Sequence, residues 1–362
     1  MKLHLHAQKG VILIAILSVL VVLFTTLMVS TLSFDKLRAN KIQSTTRILN
    51  TALENLQGYA LVQIPPGSLP CPDSTGDGFE NTAVGGCQSQ RGLLPYRTLN
   101  MEAQNDQSGA ALWYAVDRAF VVNSVGDRNA SRVTTLSLDG RLMSAVIIAP
   151  GNAINGQGRT NLIAADFLEG LNADASLDSY ARPQSDIEND QLLGLPVGLY
   201  WSLMIKPVNE AISQLLADYK AACSEFPFAA GFGGPYTSIN NLQAGSLPLT
   251  TALPVDWGDV CPFGIAPTPP AWLVNHWQDE LYYQMCTVAE GSCIQLVGDS
   301  NLSGSAVIIG PGITLSGQSR PSVIRSNYFE LENIALPDTQ FRDLDTINHS
   351  ATYNDITRIV IP

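Results

Sequence analysis

The feature that most constrains this chain is a duplication. AVIIAPGNAINGQGR at 145–159 and AVIIGPGITLSGQSR at 306–320 are identical at nine of fifteen positions, with an offset of 161. The offset persists downstream, where Glu169 meets Glu330 and Asn172 meets Asn333, and Asn189-Asp190 meets Asn354-Asp355 slightly out of step. Upstream, Leu56 and Tyr59 meet Leu216 and Tyr219, and Leu112-Trp113-Tyr114 meets Leu281-Tyr282-Tyr283. A helix, strands and a Pro-Gly loop closed by Gly-Gln-x-Arg thus recur in one order, which predicts two related α+β modules in tandem. Each is expected to pack one helix on a small antiparallel sheet. The boundary is expected near 195–206, after Gly194-Leu195-Pro196.

The expected strands are 111–116, 133–138, 144–149, 294–297 and 306–309, short apolar runs between turn residues. The second module's helix is expected over 207–222. Pro207 suits a first helical position, and Val208, Ala211, Ile212, Leu215, Leu216 and Tyr219 share a face. In the first module Ile42, Leu49, Leu53, Leu56 and Ala60 form an amphipathic stripe, ended by Gly58 and Ile64-Pro65-Pro66-Gly67.

Ahead of that stripe, residues 11–34 carry no charge. At about 1.5 Å per residue this run is long enough for the roughly 30 Å hydrocarbon core, so a transmembrane helix is expected there. Lys2 and Lys9 before it predict a cytoplasmic N-terminus in the inner membrane, with the bulk of the chain periplasmic. The run is longer than a secretory h-region and lacks a clear small-residue cleavage site.

Net charge is −12 and no Lys/Arg-rich run occurs, which argues against nucleic acid as a partner. The six cysteines, Cys71, Cys87, Cys223, Cys261, Cys286 and Cys293, include no CxxC. With an export signal, this favours disulfides over zinc. Fifteen pairings are open. Loop closure favours the nearest partners, Cys71–Cys87 and Cys286–Cys293, leaving Cys223–Cys261; the alternative is free buried thiols.

The leader MKLHLHAQKG, ending in Gly10 against the apolar run, resembles a type IV prepilin leader of the class III kind. The segment after the helix strengthens the likeness. Leu69-Pro70-Cys71-Pro72-Asp73, Gly76-Asp77-Gly78, Cys87 and Gly92-Leu93-Leu94-Pro95 resemble a group of pilin-like proteins and type II secretion pseudopilins over residues 1–120. The resemblance implies cleavage by prepilin peptidase between Gly10 and Val11, which removes Lys2 and Lys9 and takes the charge from −12 to −14. It implies a leader at 1–10, a membrane helix at 11–34, its soluble half at 35–66, and modules at 67–200 and 201–362. Pilins usually begin with Phe and carry Glu at the fifth mature position; here Val11 and Ala15 stand there. Because that Glu is thought to pair with the neighbouring subunit's amino terminus, its absence implies a tip or priming subunit. The second module has Glu225-Phe226-Pro227 in place of the Leu-Pro-Cys-Pro-Asp segment.

Asp73, Asp77 and Glu80 surround two glycines, a donor set that calcium could use, though the spacing is not that of an EF-hand; a solvated Asp-Gly turn is the simpler reading. No other cofactor is expected. Arg159 and Arg320 are expected to cap carbonyls or to pair with Glu169 and Glu330. Catalysis is not expected: there is no G-x-S-x-G or HExxH, and only His276 and His349 follow the leader. The Trp- and Pro-rich stretch 254–280, with Trp257, Trp272 and Trp277, is expected either as an exposed recognition loop or as core. The implied function is a non-enzymatic minor subunit of a type IV pilus or type II secretion pseudopilus. Its partners would be prepilin peptidase, other pilin or pseudopilin subunits, the inner membrane, and a secreted substrate or adhesion target. The alternative is a signal-anchored periplasmic binding protein that stays out of any fibre.

Overall fold

The computed structural model describes residues 8–121, 129–174, 178–185, 188–249, 261, 265–287, 290–298, 301–334, 339–343 and 352–360. The fold is α+β. The first module begins with α1 (Gln8–Val62). Strands β1 (Thr82–Ala83), β2 (Gly86–Cys87), β3 (Arg91–Leu93), β4 (Trp113–Val116), β5 (Ser137–Leu138) and β6 (Arg141–Ala149) follow. The short helix α2 (Gly170–Ala173), β7 (Ser179–Tyr180) and β8 (Gln191–Pro196) complete it.

The second module opens with α3 (Val197–Cys223), then β9 (Ala244–Gly245), α4 (Ala271–His276), β10 (Tyr282–Met285), β11 (Ile294–Gly298), β12 (Ser303–Gly304), β13 (Ala306–Gly310), β14 (Gln340–Asp343) and β15 (Ile356–Val360). Strand β8 gives way directly to α3.

The two modules share a register. Strands β4 and β6 run antiparallel with Tyr114 opposite Ile147, and β10 and β13 do the same with Tyr283 opposite Ile308. On the far side, β8 pairs with β6 as β15 pairs with β13. Strand β7 lies parallel to β5, and β14 parallel to β11.

Both sheets are covered on both faces, which explains why AVIIA and AVIIG are continuously apolar rather than alternating. In the first, Tyr114, Val116, Ala145, Ile147 and Leu195 face the helix side, while Trp113, Val146, Ile148 and Leu192 pack against Leu136, Leu168 and Phe167. In the second, Tyr283, Ala306 and Ile308 face α3, and Tyr282, Val307 and Ile309 meet Tyr328, Phe329 and Phe341.

Helix α1 buries Thr45, Leu49, Ala52, Leu56 and Ala60, spaced by three and four, so one stripe meets the sheet. Ile42, expected in that stripe, is 47% exposed. The helix ends at Val62, and Gly67 at φ +87° donates its N–H back to the Ala60 carbonyl at 2.9 Å. A Cβ on Gly67 would lie 2.7 Å from the Tyr200 hydroxyl, so a glycine is required on both counts.

Three expectations are corrected. The expected transmembrane helix at 11–34 does not appear. Among the described residues, no helix is long and apolar enough to cross a membrane. The large apolar side chains described at the head of α1 lie between Leu13 and Met28.

Second, α3 begins at Val197, not at 207, and Pro207 sits inside it. An interior proline costs about 3 kcal/mol. The added turns bury Tyr200, Trp201, Met204 and Ile205, each contributing about 1.5–3 kcal/mol, so burial wins. Third, strand 133–138 contracts to β5; Val133 is exposed, and the N–H groups of Thr135 and Leu136 go to the Asp117 carboxylate, while the Leu136 carbonyl accepts from Met143 N of β6 at 2.9 Å.

The modules are not separate bodies. One continuous core runs from α1 through both sheets to α3. At the junction Phe120 of the first module packs on Tyr200 and Trp201, with ring centroids at 5.0 and 5.7 Å, and Trp201 meets Trp277 edge-on at 5.8 Å. The Tyr200 hydroxyl donates to the Gly67 carbonyl. Asn129 Nδ2 donates to the His276 carbonyl at 2.9 Å, and Ser131 Oγ to Glu280 Oε1 at 2.5 Å.

Candidate interaction site

Three disulfides are present: Cys71–Cys87, Cys223–Cys261 and Cys286–Cys293. This is the nearest-partner pairing. No free cysteine occurs among the described residues, and the bonds fit an oxidising compartment.

At the head of α1 the side chains from Leu13 to Met28 are exposed on every face of the helix, Leu13 and Phe24 at 70%. Its hydroxyl groups are internally satisfied: Ser18 donates to the Ala15 carbonyl at 2.9 Å and Thr25 to that of Val21 at 2.8 Å. Among the described residues this surface offers no unpaired hydroxyl and suits apolar surroundings. Gly10 and Val11 lie in the α1 backbone, and Ala15 is exposed on it.

The loop after Cys71 spends its acids on its own backbone. Asp73, 1% exposed, accepts from Thr75 N at 2.9 Å and Gly76 N at 2.7 Å on Oδ1, and from Gly78 N at 2.6 Å on Oδ2. Asp77 accepts from Phe79 N at 2.9 Å, and Glu80 from Cys71 N at 2.9 Å. Each of the three acids thus has at least one oxygen engaged by a backbone N–H. Among the described residues no group of three or more His, Cys, Asp or Glu is placed to hold a metal ion.

The Pro-Gly loops are clamped alike. Gln157 Oε1 accepts from Ile154 N at 3.0 Å while its Nε2 donates to Glu169 Oε1 at 3.1 Å; Gln318 does the same with Leu315 N at 2.9 Å and Glu330 Oε1 at 2.7 Å. The glycines answer to a close approach. A Cβ on Gly151 would sit 1.9 Å from Asn189 Oδ1, and one on Gly312 would sit 2.3 Å from Asn354 Cγ.

Arg320 caps the carbonyls of Gly312 at 2.7 Å and Tyr328 at 3.0 Å, and its ion-pair partner is buried Glu280 at 3.8 Å rather than Glu330. Arg159 lies over the Phe167 ring at 5.6 Å.

Glu169 and Glu330 face aspartates instead. Glu169 N and Asn172 Nδ2 each donate to Asp190 Oδ2 at 3.0 Å, and Asp190 N returns a bond to Glu169 Oε2 at 3.1 Å. Burial, reinforced by the Glu169 charge, pushes Asp190 up to about 8. In the second module, Glu330 N donates to Asp355 Oδ2 at 2.9 Å and Asn333 Nδ2 at 3.1 Å. Burial and the Glu330 charge hold Asp355 well above the usual carboxylate range. The repeat alignment had matched all of these residues; what it could not show was that each glutamate meets the aspartate about twenty residues on.

Beside the first pair lies an open groove of about 670 Å³ between Lys41–Leu49 of α1 and Asn189–Leu193. Of the Trp- and Pro-rich stretch, Trp277 is core and Trp272 packs partly against it, whereas Trp257 falls outside the described residues, as does the distant His349.

Comparison with family models, curated proteins and solved structures finds no match for this chain.

Proposed function

We propose that the chain is an exported, non-enzymatic pilin-like subunit of a type IV pilus or type II secretion pseudopilus, matured by prepilin peptidase between Gly10 and Val11. The observation that carries this reading is the form of α1. One continuous helix presents apolar side chains all round at its head and buries a single stripe at its tail. Such a head demands apolar company, and helices of neighbouring subunits supply it in a fibre. Ala15 removes the carboxylate that a shaft subunit would use, so the subunit works at a tip or as a primer. The disulfide-locked modules then face the periplasm or the exterior, towards a secreted substrate, an adhesion target or other minor subunits.

The mature N-terminus, measured by mass spectrometry with and without prepilin peptidase, tests the reading. A peptidase-dependent start at Val11 supports it. A retained leader, or a start beyond residue 30, overturns it. A second reading, a binding protein that never enters a fibre, draws on the groove beside α1, whose volume of about 670 Å³ falls in the usual ligand-pocket range.

A further inference from the structure

We propose that each module is latched by one proton held between two buried carboxyl groups, Glu169 with Asp190 and Glu330 with Asp355, and that losing this proton frees the adjoining edge strand and Pro-Gly loop. The inference rests on where donors point, and it stands whether or not the chain enters a fibre.

Glu169 is supplied on both oxygens: Gln157 Nε2 reaches Oε1 at 3.1 Å, and the N–H groups of Asn189 and Asp190 each reach Oε2 at 3.1 Å. Asp190, 1% exposed, is supplied on Oδ2 alone; its Oδ1 receives nothing among the described residues. The second module repeats the imbalance. Glu330 is served by Gln318 and by Asn354 N; among the described residues Asp355 is served only on Oδ2, and its Oδ1 receives no donor. A buried ionised oxygen with no donor is costly, whereas a hydroxyl there becomes a donor itself and has the glutamate beside it. Two carboxylates sharing one site keep one proton between them.

Nearby charges do not cancel the second negative charge. Around the first pair stand Glu188 and Arg182 on the following loop, Arg91 of β3, Lys41 of α1 and Asp106. Arg182 pairs with Asp139, and Arg91 Nη1 is spent on the carbonyls of Asn172 and Asp174. Around the second pair stand Arg320 and Glu280; Arg320 feels the charges of Glu280, Asp355 and Glu330 together, so it is shared among three carboxyl groups and not given to the pair alone.

The pairs join three elements. Asp190 immediately precedes β8, Glu169 immediately precedes α2, and Gln157 closes the Pro-Gly loop. Removing the proton sets two negative charges side by side, and the relief is to part these elements. In the first module that widens the groove beside α1, because Asn189–Leu193 are one of its walls.

The sign follows from the proton count. Between the ordinary aspartate range and about pH 8, folded Asp190 keeps a proton that the unfolded chain has lost. The folded state is therefore favoured at low pH, and each rise of one pH unit favours unfolding about tenfold per pair.

The test is urea unfolding of the full chain from pH 5 to 8 for wild type, Asp190→Asn, Asp355→Asn and the double variant. Asn carries the neutral form permanently, so each single variant loses about one tenfold step per pH unit, and the double loses two. Carboxyl 13C spectra of Asp-labelled wild type give a second, folding-independent readout. A carboxyl that stays protonated at pH 6, together with faster hydrogen exchange at 188–193 above pH 8, supports the latch. Wild-type and variant slopes that coincide, or aspartates that all titrate near 4, overturn it.

Discussion

The two modules solve the same packing problem with different chemistry. In the first, Asp117 ends β4 and pins the chain just ahead of β5. Its carboxylate accepts from Ala119 N at 2.7 Å, Thr134 Oγ1 at 2.5 Å, Thr135 N at 2.9 Å and Leu136 N at 3.2 Å. In the second, the residue after β10 is Cys286, and its disulfide to Cys293 pins the chain just ahead of β11. Their backbone positions agree: Asp117 N donates to the Ser144 carbonyl and Cys286 N to that of Ser305. A position can thus keep its mechanical role while exchanging hydrogen bonds for a covalent bond. The helices differ as well. Tyr200, Trp201 and Met204 of α3 are buried against the first module, whereas the matching Asn40, Lys41 and Ser44 of α1 border solvent.

The junction is where this comparison breaks hardest. Trp201→Ala should destabilise the chain by about 3–5 kcal/mol in urea unfolding, whereas Lys41→Ala at the matching place should change it by under about 0.5 kcal/mol. Two separate transitions in wild-type unfolding would refute the shared core.

Next come the two pins. Asp117→Ala strips the acceptor from buried N–H groups and should cost about 3 kcal/mol. The Cys286→Ser/Cys293→Ser double variant opens a short loop of sequence separation 7 and should cost about 2–3 kcal/mol. Nearly equal midpoint shifts in chemical denaturation would sharpen the equivalence, and a negligible shift for either would undo it.

The Pro-Gly loops should respond unequally. Gly151 has φ +68° whereas Gly312 lies outside the left-handed region, yet both crowd an asparagine. Gly151→Ala should therefore exceed Gly312→Ala by about 1 kcal/mol, read from thermal shifts. The smallest effect is expected at exposed Asp77, where Asp77→Ala should cost less than about 0.5 kcal/mol and leave Tm unchanged when calcium is added. A calcium-dependent rise in Tm that the variant abolishes would restore a metal site there.

Local chemistry made much of this protein legible in advance. The duplication, the strands around Trp113, Val146, Ile294 and Val307, and the lower half of α1 follow from runs and periods that near neighbours set. The disulfide pairing follows from short loops, since closing a nearby pair costs the least chain entropy. Other features depend on partners far along the chain. Pro207 lies inside a helix because Phe120 and Trp277 give Trp201 somewhere to be buried. Glu169 and Glu330 take aspartates rather than the arginines of the repeated motif because β8 and β15 bring Asp190 and Asp355 beside them. Periodicity reports which residues want to be buried; only the tertiary structure decides what each one meets there, because the energy of a buried polar group depends on the particular donor or acceptor that the fold sets beside it.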